Sequence, residues 1–125
     1  MSYDRIGVIG AMDSELAALI AALAQPARET VQGLGFHTGR LGAREVVLVR
    51  CGIGKVSAAR CTQVLIDRFA PGAVINTGIA GGLASGLAVG DIVVADGLVQ
   101  HDFDAAPIGF CLLYTSPSPR DSTSS

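Results

Sequence analysis

Three short apolar runs in this chain each end in a glycine-bearing turn, and that arrangement restricts the fold more than any other feature. Arg5–Ile9 runs into Gly10, Arg44–Arg50 into Cys51-Gly52-Ile53-Gly54, and Ala73–Asn76 into Thr77-Gly78-Ile79-Ala80-Gly81-Gly82. Apolar runs of this length, closed by glycine, read as buried strands with tight exits. Between them lie two segments of helical period. Leu16, Leu19, Ile20 and Leu23 fall at i, i+3, i+4 and i+7, with Asp13 and Ser14 offering capping oxygens and Pro26 just past the end. Lys55–Phe69 places Ala58, Cys61, Leu65 and Phe69 along one face and stops at Pro71-Gly72. Phe36–Leu41 and Arg44–Arg50 read as a hairpin turning at Gly42-Ala43. A further strand is expected from Asp91 to Ala95, continuing toward Val99, after the lead-in Leu87–Gly90. The order strand, helix, hairpin, helix, strand, loop, strand predicts an α/β fold, a three-layer-type sandwich around a mixed central sheet.

Composition agrees with buried strands. Half of the 125 residues are hydrophobic, 16% are charged, and glycine occurs 16 times. Nine basic against 11 acidic residues leave a formal charge of −2 with no basic stripe, so nothing recommends a nucleic-acid partner. The longest fully apolar run, Leu16–Ala24, is too short to span a bilayer. No basic patch, apolar stretch and cleavage site mark a secretory signal, and a cytoplasmic location is expected. Cys51, Cys61 and Cys111 form no Cys-x-x-Cys and no metal-ligand spacing, which suits reduced thiols and implies no metal site.

Nucleotide-binding motifs fail on spacing. Gly7-Val8-Ile9-Gly10 follows a strand but is no G-x-G-x-x-G fingerprint. Gly52-Ile53-Gly54-Lys55 has Val56 where a P-loop needs Ser or Thr, and no Lys follows Gly81–Gly86. What remains is the set of glycine loops at strand C-termini, the edge where open α/β sheets bind ligands. Glu15 on its own reads as an acidic first-turn residue favoured by the helix dipole. His101 and Asp102 read most simply as a structural His satisfied by a neighbouring carboxylate or main chain.

A resemblance gives these loops a chemistry. Ile6-Gly-Val-Ile-Gly-Ala-Met-Asp-Ser-Glu15, Cys51-Gly-Ile-Gly-Lys-Val-Ser57, Ile75-Asn-Thr-Gly-Ile-Ala-Gly-Gly-Leu83, Val89-Gly-Asp-Ile-Val-Val94 and His101-Asp-Phe-Asp104 occur in order. Together they resemble the 5′-methylthioadenosine/S-adenosylhomocysteine nucleosidases of the purine nucleoside phosphorylase superfamily, from residue 5 to about residue 110. The resemblance implies hydrolysis of the N-glycosidic bond of an adenine thionucleoside, with release of adenine, in methionine salvage and nucleoside catabolism. It implies that Glu15 activates the attacking water. It sets Ala11 and Met12 beside the ribose and the water, Ile53 against the alkylthio end, and Ala80 and Gly81 near the sugar and base. Position 79, often Ser in the family, is Ile79 here, which removes one possible hydrogen bond. No metal or organic cofactor is implied, the ligand is a small nucleoside, and a homodimer is expected for the complete protein.

A carboxylate at position 15 suits such a reaction. Breaking the bond builds positive charge on the ribose carbon, which a nearby carboxylate stabilises while it takes a proton from water. The first loop carries Asp13 and Glu15 and no Arg, so water is favoured over a phosphate dianion as nucleophile. Close alternatives are a futalosine hydrolase or a nucleoside phosphorylase. A different class, a non-catalytic nucleoside-binding module, also remains open.

The C-terminal stretch changes character. Residues 111–125 are rich in Ser and Pro and lose all periodicity. Cys111–Asp121 resembles, codon by codon, a read-through translation of a transposase-end sequencing adapter. Residues 1–110 are therefore expected to be the N-terminal half of a nucleosidase domain and residues 111–125 a non-native, disordered tail. The family's general acid for adenine and its ribose-holding glutamate lie in the half that is not present. The chain as written is expected to be truncated, inactive alone and poorly folding.

Overall fold

The computed structural model describes residues 3–102 and residue 107. It comprises two units, residues 1–81 and 82–125. Among the described residues, the first holds the helices and strands: β1 (Arg5–Gly10), α1 (Asp13–Ala22), β2 (Ala24–Val31), β3 (Leu34–Leu41), β4 (Arg44–Arg50), α2 (Lys55–Phe69) and β5 (Ala73–Asn76). The five strands form one mixed sheet in the order β2-β3-β4-β1-β5. β2, β3 and β4 are an antiparallel meander, whereas β1 runs parallel to both β4 and β5.

Alternation along the strands sends successive side chains to opposite faces. On one face Ile9, Val47, Val49 and Phe36 meet Cys61, Leu65 and Phe69 of α2. On the other Val8, Val46 and Leu48 meet Leu16 and Leu23 at α1 and its end. One helix on each face gives the expected three layers around a mixed sheet.

Two expectations need correction. Ala24–Val31 shows no strand pattern in the sequence, yet forms β2. It is an edge strand whose residues are mostly exposed, so no apolar alternation marks it. Pro26 sits where the register with β3 shifts, beside Gln25 at φ +52°, and an edge bulge is a place where a strand tolerates proline. The β2–β3 turn then uses Gln32 and Gly33, both at positive φ, as a two-residue hairpin turn requires.

The second correction concerns residues 91–95, which form no strand. Apolar content alone does not make a strand, because the ladder needs a partner, and Ile92, Val93 and Val94 lie exposed. In this second unit the Leu87–Gly90 lead-in is a turn, closed by the Ala88 N–H donating to Asp91 Oδ2 at 2.9 Å and the Asp91 N–H to the Ala88 carbonyl at 3.1 Å. The tail, residues 111–125, lies outside the described residues.

Cys61, on the sheet-facing side of α2, is fully buried. Burial, reinforced by nearby Cys51 and opposed by Arg60, pushes its thiol up to about 11. It therefore stays a neutral thiol through physiological pH, with on the order of one thiolate in a thousand at pH 8. Alkylation of the folded protein by iodoacetamide at pH 8 is expected to spare Cys61 until urea is added, as read by peptide mass mapping.

Candidate active site

Parallel pairing brings the C-terminal ends of β4, β1 and β5 to a single sheet edge, with β1 in the middle. The three glycine loops are pinned there by main-chain bonds. Cys51 N–H donates to the Gly10 carbonyl and Thr77 N–H to the Ile9 carbonyl, each at 2.9 Å. The Ala11-Met12 loop after β1 thus has the β4 exit on one side and the β5 exit on the other.

Glu15 is the third residue of α1 and folds back over this loop. Its Oε2 accepts hydrogen bonds from the Ala11 N–H at 2.7 Å and the Met12 N–H at 3.0 Å. Met12, the residue before the helix, has no side-chain cap, and neither Asp13 nor Ser14 supplies one. The expected capping oxygens are corrected accordingly: the cap comes from Glu15, because a glutamate at the third position can reach back to the amide before the helix. Asp13 instead pairs with Arg50 at 3.3 Å. Glu15 is therefore a cap, and still has its other oxygen to offer. Oε1 lies toward Gly78, where an added Cβ would stand 3.1 Å from it. The glycine after β5 leaves that carboxylate its room.

Ala80 and Gly81 follow Gly78 in the same loop and are exposed. Ile79 is exposed as well, at 84%. On the β4 side a cavity of about 730 Å³ opens against Ala11, Met12, Asp13 and Leu16, reaching Arg28 on β2, His37 on β3, and Arg50–Ile53 after β4. That volume lies within the roughly 300–1,000 Å³ typical of small-molecule sites. Ile53, between Gly52 at φ +83° and Gly54 at φ +100°, is held out at 80% exposure on its wall.

Of the residues singled out by sequence, Glu15, Ala11 and Met12 are in direct contact, and Met12 and Ile53 share the cavity. His101 and Asp102 fall in an exposed turn of the second unit. Arg28, His37 and Arg50 were not foreseen. They come from three different strands, and only the pairing register brings them together. Arg50 also amends the electrostatic reading of the first loop: the loop itself has no Arg, but β4 delivers one against Asp13. No group of His, Cys, Asp or Glu among the described residues could hold a metal ion.

The family model described as the Phosphorylase superfamily matches residues 5–120. The chain belongs to the phosphorylase superfamily. Among superfamily relatives, the 5′-methylthioadenosine/S-adenosylhomocysteine nucleosidase of Shewanella pealeana is 45% identical over 106 residues, covering 85% of this chain and 46% of that protein. A crystal structure of S-adenosylhomocysteine nucleosidase from Streptococcus pyogenes, in complex with 5-methylthiotubericidin, superposes with a TM-score of 0.89 at 43% identity, covering 95% of this chain and 50% of that one. A futalosine hydrolase mutant from Helicobacter pylori superposes with a TM-score of 0.82 at 30% identity, over 92% of this chain and 50% of that one. The chain spans about half the length of these superfamily relatives. No helix among the described residues is long and apolar enough to cross a membrane.

Proposed function

We propose that this chain carries the water-activating half of an enzyme that hydrolyses the N-glycosidic bond of 5′-methylthioadenosine and S-adenosylhomocysteine, releasing adenine. The observation that carries this reading is the state of the Ala11 and Met12 amides. Two adjacent N–H groups at a helix N-terminus would suit a phosphate. Here both donate to Glu15 Oε2, so the protein's own carboxylate occupies the anion position. A phosphate nucleophile would have to displace it, whereas a water molecule is served by it.

In this reading Oε2 is the anchored oxygen and Oε1 the working one. The two amide N–H groups anchor Oε2, and Oε1 faces the space left open by Gly78. A water there donates to Oε1 and attacks the ribose carbon as positive charge builds on it, with the carboxylate taking the proton. Met12 and Ala11 flank the ribose, Ile53 meets the alkylthio end, and Ala80 and Gly81 lie near the sugar and base. The names of the relatives, at 45% identity over 106 residues, support the substrate pair. The group that protonates adenine and the group that holds the ribose hydroxyls belong, in this reading, to the half that the relatives have in addition. The complete protein is a cytoplasmic homodimer in the same reading, and its reaction needs only water and substrate.

The test is adenine release from 5′-methylthioadenosine by the full-length protein, expressed from source DNA read beyond the codon for Phe110, with and without inorganic phosphate. Release at an equal rate in both is expected. A strict phosphate requirement would establish a phosphorylase instead. The likeness to a futalosine hydrolase gives a second reading a specific footing, and futalosine belongs in the same substrate panel.

A further inference from the structure

The cavity beside the Ala11-Met12 loop has a chemistry that water activation leaves unused. Arg28 and His37 are directly paired residues of β2 and β3. His37 is in turn opposite Leu48 on β4, so Arg50, two residues further, projects from the same face. That is the face covered by α1, where Leu16 and Ile20 make an apolar wall. Three nitrogen-bearing side chains from adjacent strands thus converge on a concave space with one hydrophobic side. Arg28 forms no hydrogen bond or ion pair with another described residue. Its guanidinium lies over Gly35, where an added Cβ would stand 2.9 Å from Nη2 and 3.3 Å from Nε. A side chain at position 35 would push the guanidinium away. Among the described residues lining the cavity the competing anion is Asp13, which holds Arg50 at 3.3 Å in an exposed pair, the weak kind that an incoming group can share.

We propose that Arg28, His37 and Arg50 form an oxyanion-binding arm of the site, with Arg28 as its main donor. A planar guanidinium without a partner, beside a second one, is matched to a carboxylate or a tetrahedral oxyanion. Two sources share that chemistry. One is the carboxylate of the amino-acid tail that distinguishes S-adenosylhomocysteine from 5′-methylthioadenosine; the other is a free inorganic anion. The tail is the source favoured by position, because Ile53, assigned to the alkylthio end, lines the same cavity. Naming the tail rests on the proposed nucleosidase reading; the oxyanion chemistry does not.

The experiment uses the full-length protein and two variants, Arg28→Gln and Gly35→Ala. Steady-state kinetics give the KM for each nucleoside, and a sulfate titration is followed by the His37 ring resonances. Loss of a charge-assisted hydrogen bond is expected to raise the ratio of the two KM values, S-adenosylhomocysteine over 5′-methylthioadenosine, by roughly tenfold in Arg28→Gln. Gly35→Ala is expected to move the ratio in the same direction. An unchanged ratio with sulfate binding lost in Arg28→Gln supports the arm and assigns it to free anions. An unchanged ratio with sulfate shifts identical in all three proteins overturns it. If the unsubstituted protein releases no adenine from either nucleoside, the nucleosidase reading fails, and the sulfate titration still decides the arm.

Discussion

Glu15→Gln is expected to lower kcat for adenine release from the full-length protein by about 10²–10⁴-fold, the usual contribution of a positioned acid–base group. The fold should survive. A glutamine carbonyl oxygen can still accept from the Ala11 and Met12 amides, so the helix keeps its cap. What disappears is the negative charge that balances the ribose carbon and the basicity that takes the proton from water. The signature is a collapsed kcat beside a melting temperature shifted by a few degrees at most. Were Glu15 only a cap, Glu15→Gln would leave kcat within a few-fold of the unsubstituted protein, and the proposed role would be lost. Continuous detection of adenine, with melting followed by circular dichroism, separates the outcomes.

The largest expected effect on stability lies on the opposite face of the sheet. Phe36 is fully buried on β3, and its ring lies 4.9 Å, centroid to centroid and tilted by 45°, from that of Phe69 on α2. It belongs to the same core as Val47, Val49 and Leu65, each fully buried. Phe36→Ala removes the ring and leaves a cavity that a pleated sheet cannot collapse to fill. A loss of about 3–5 kcal/mol is expected. That is a large share of the roughly 5–15 kcal/mol by which whole domains are stable. Urea denaturation of the full-length protein measures it, and a change below about 1 kcal/mol would mean that α2 does not depend on this contact.

Most of the scaffold could be read from periodicity because most of its elements bury a face. β1, α1, β3, β4, α2 and β5 each present a recognisable apolar pattern, and α2 spans Lys55–Phe69 as expected. β2 was illegible for the opposite reason: it buries little, bends at a bulge and contains Pro26. Residues 91–95 show the reverse failure, an apolar run with no ladder to join among the described residues. The site divided along the same line. Glu15, Ala11 and Met12 lie within one short segment, so local sequence could reveal them. The room at Gly78, and the meeting of Arg28, His37 and Arg50, depend on which strands pair and in what register. One of those three side chains, Arg28, sits on β2, the strand that sequence did not announce.

Glu15 is gripped by peptide N–H groups and by no side chain of its own loop. Those amides are oriented by the end of β1, which neighbouring strands hold in place. Ala11 packs against the core, but the exposed Met12 side chain is free to drift. Evolution, or a designer, can recontour the ligand's bed by changing Met12 without disarming the base beneath it. Selectivity and reactivity are separable traits here, one written in side chains and the other in the backbone.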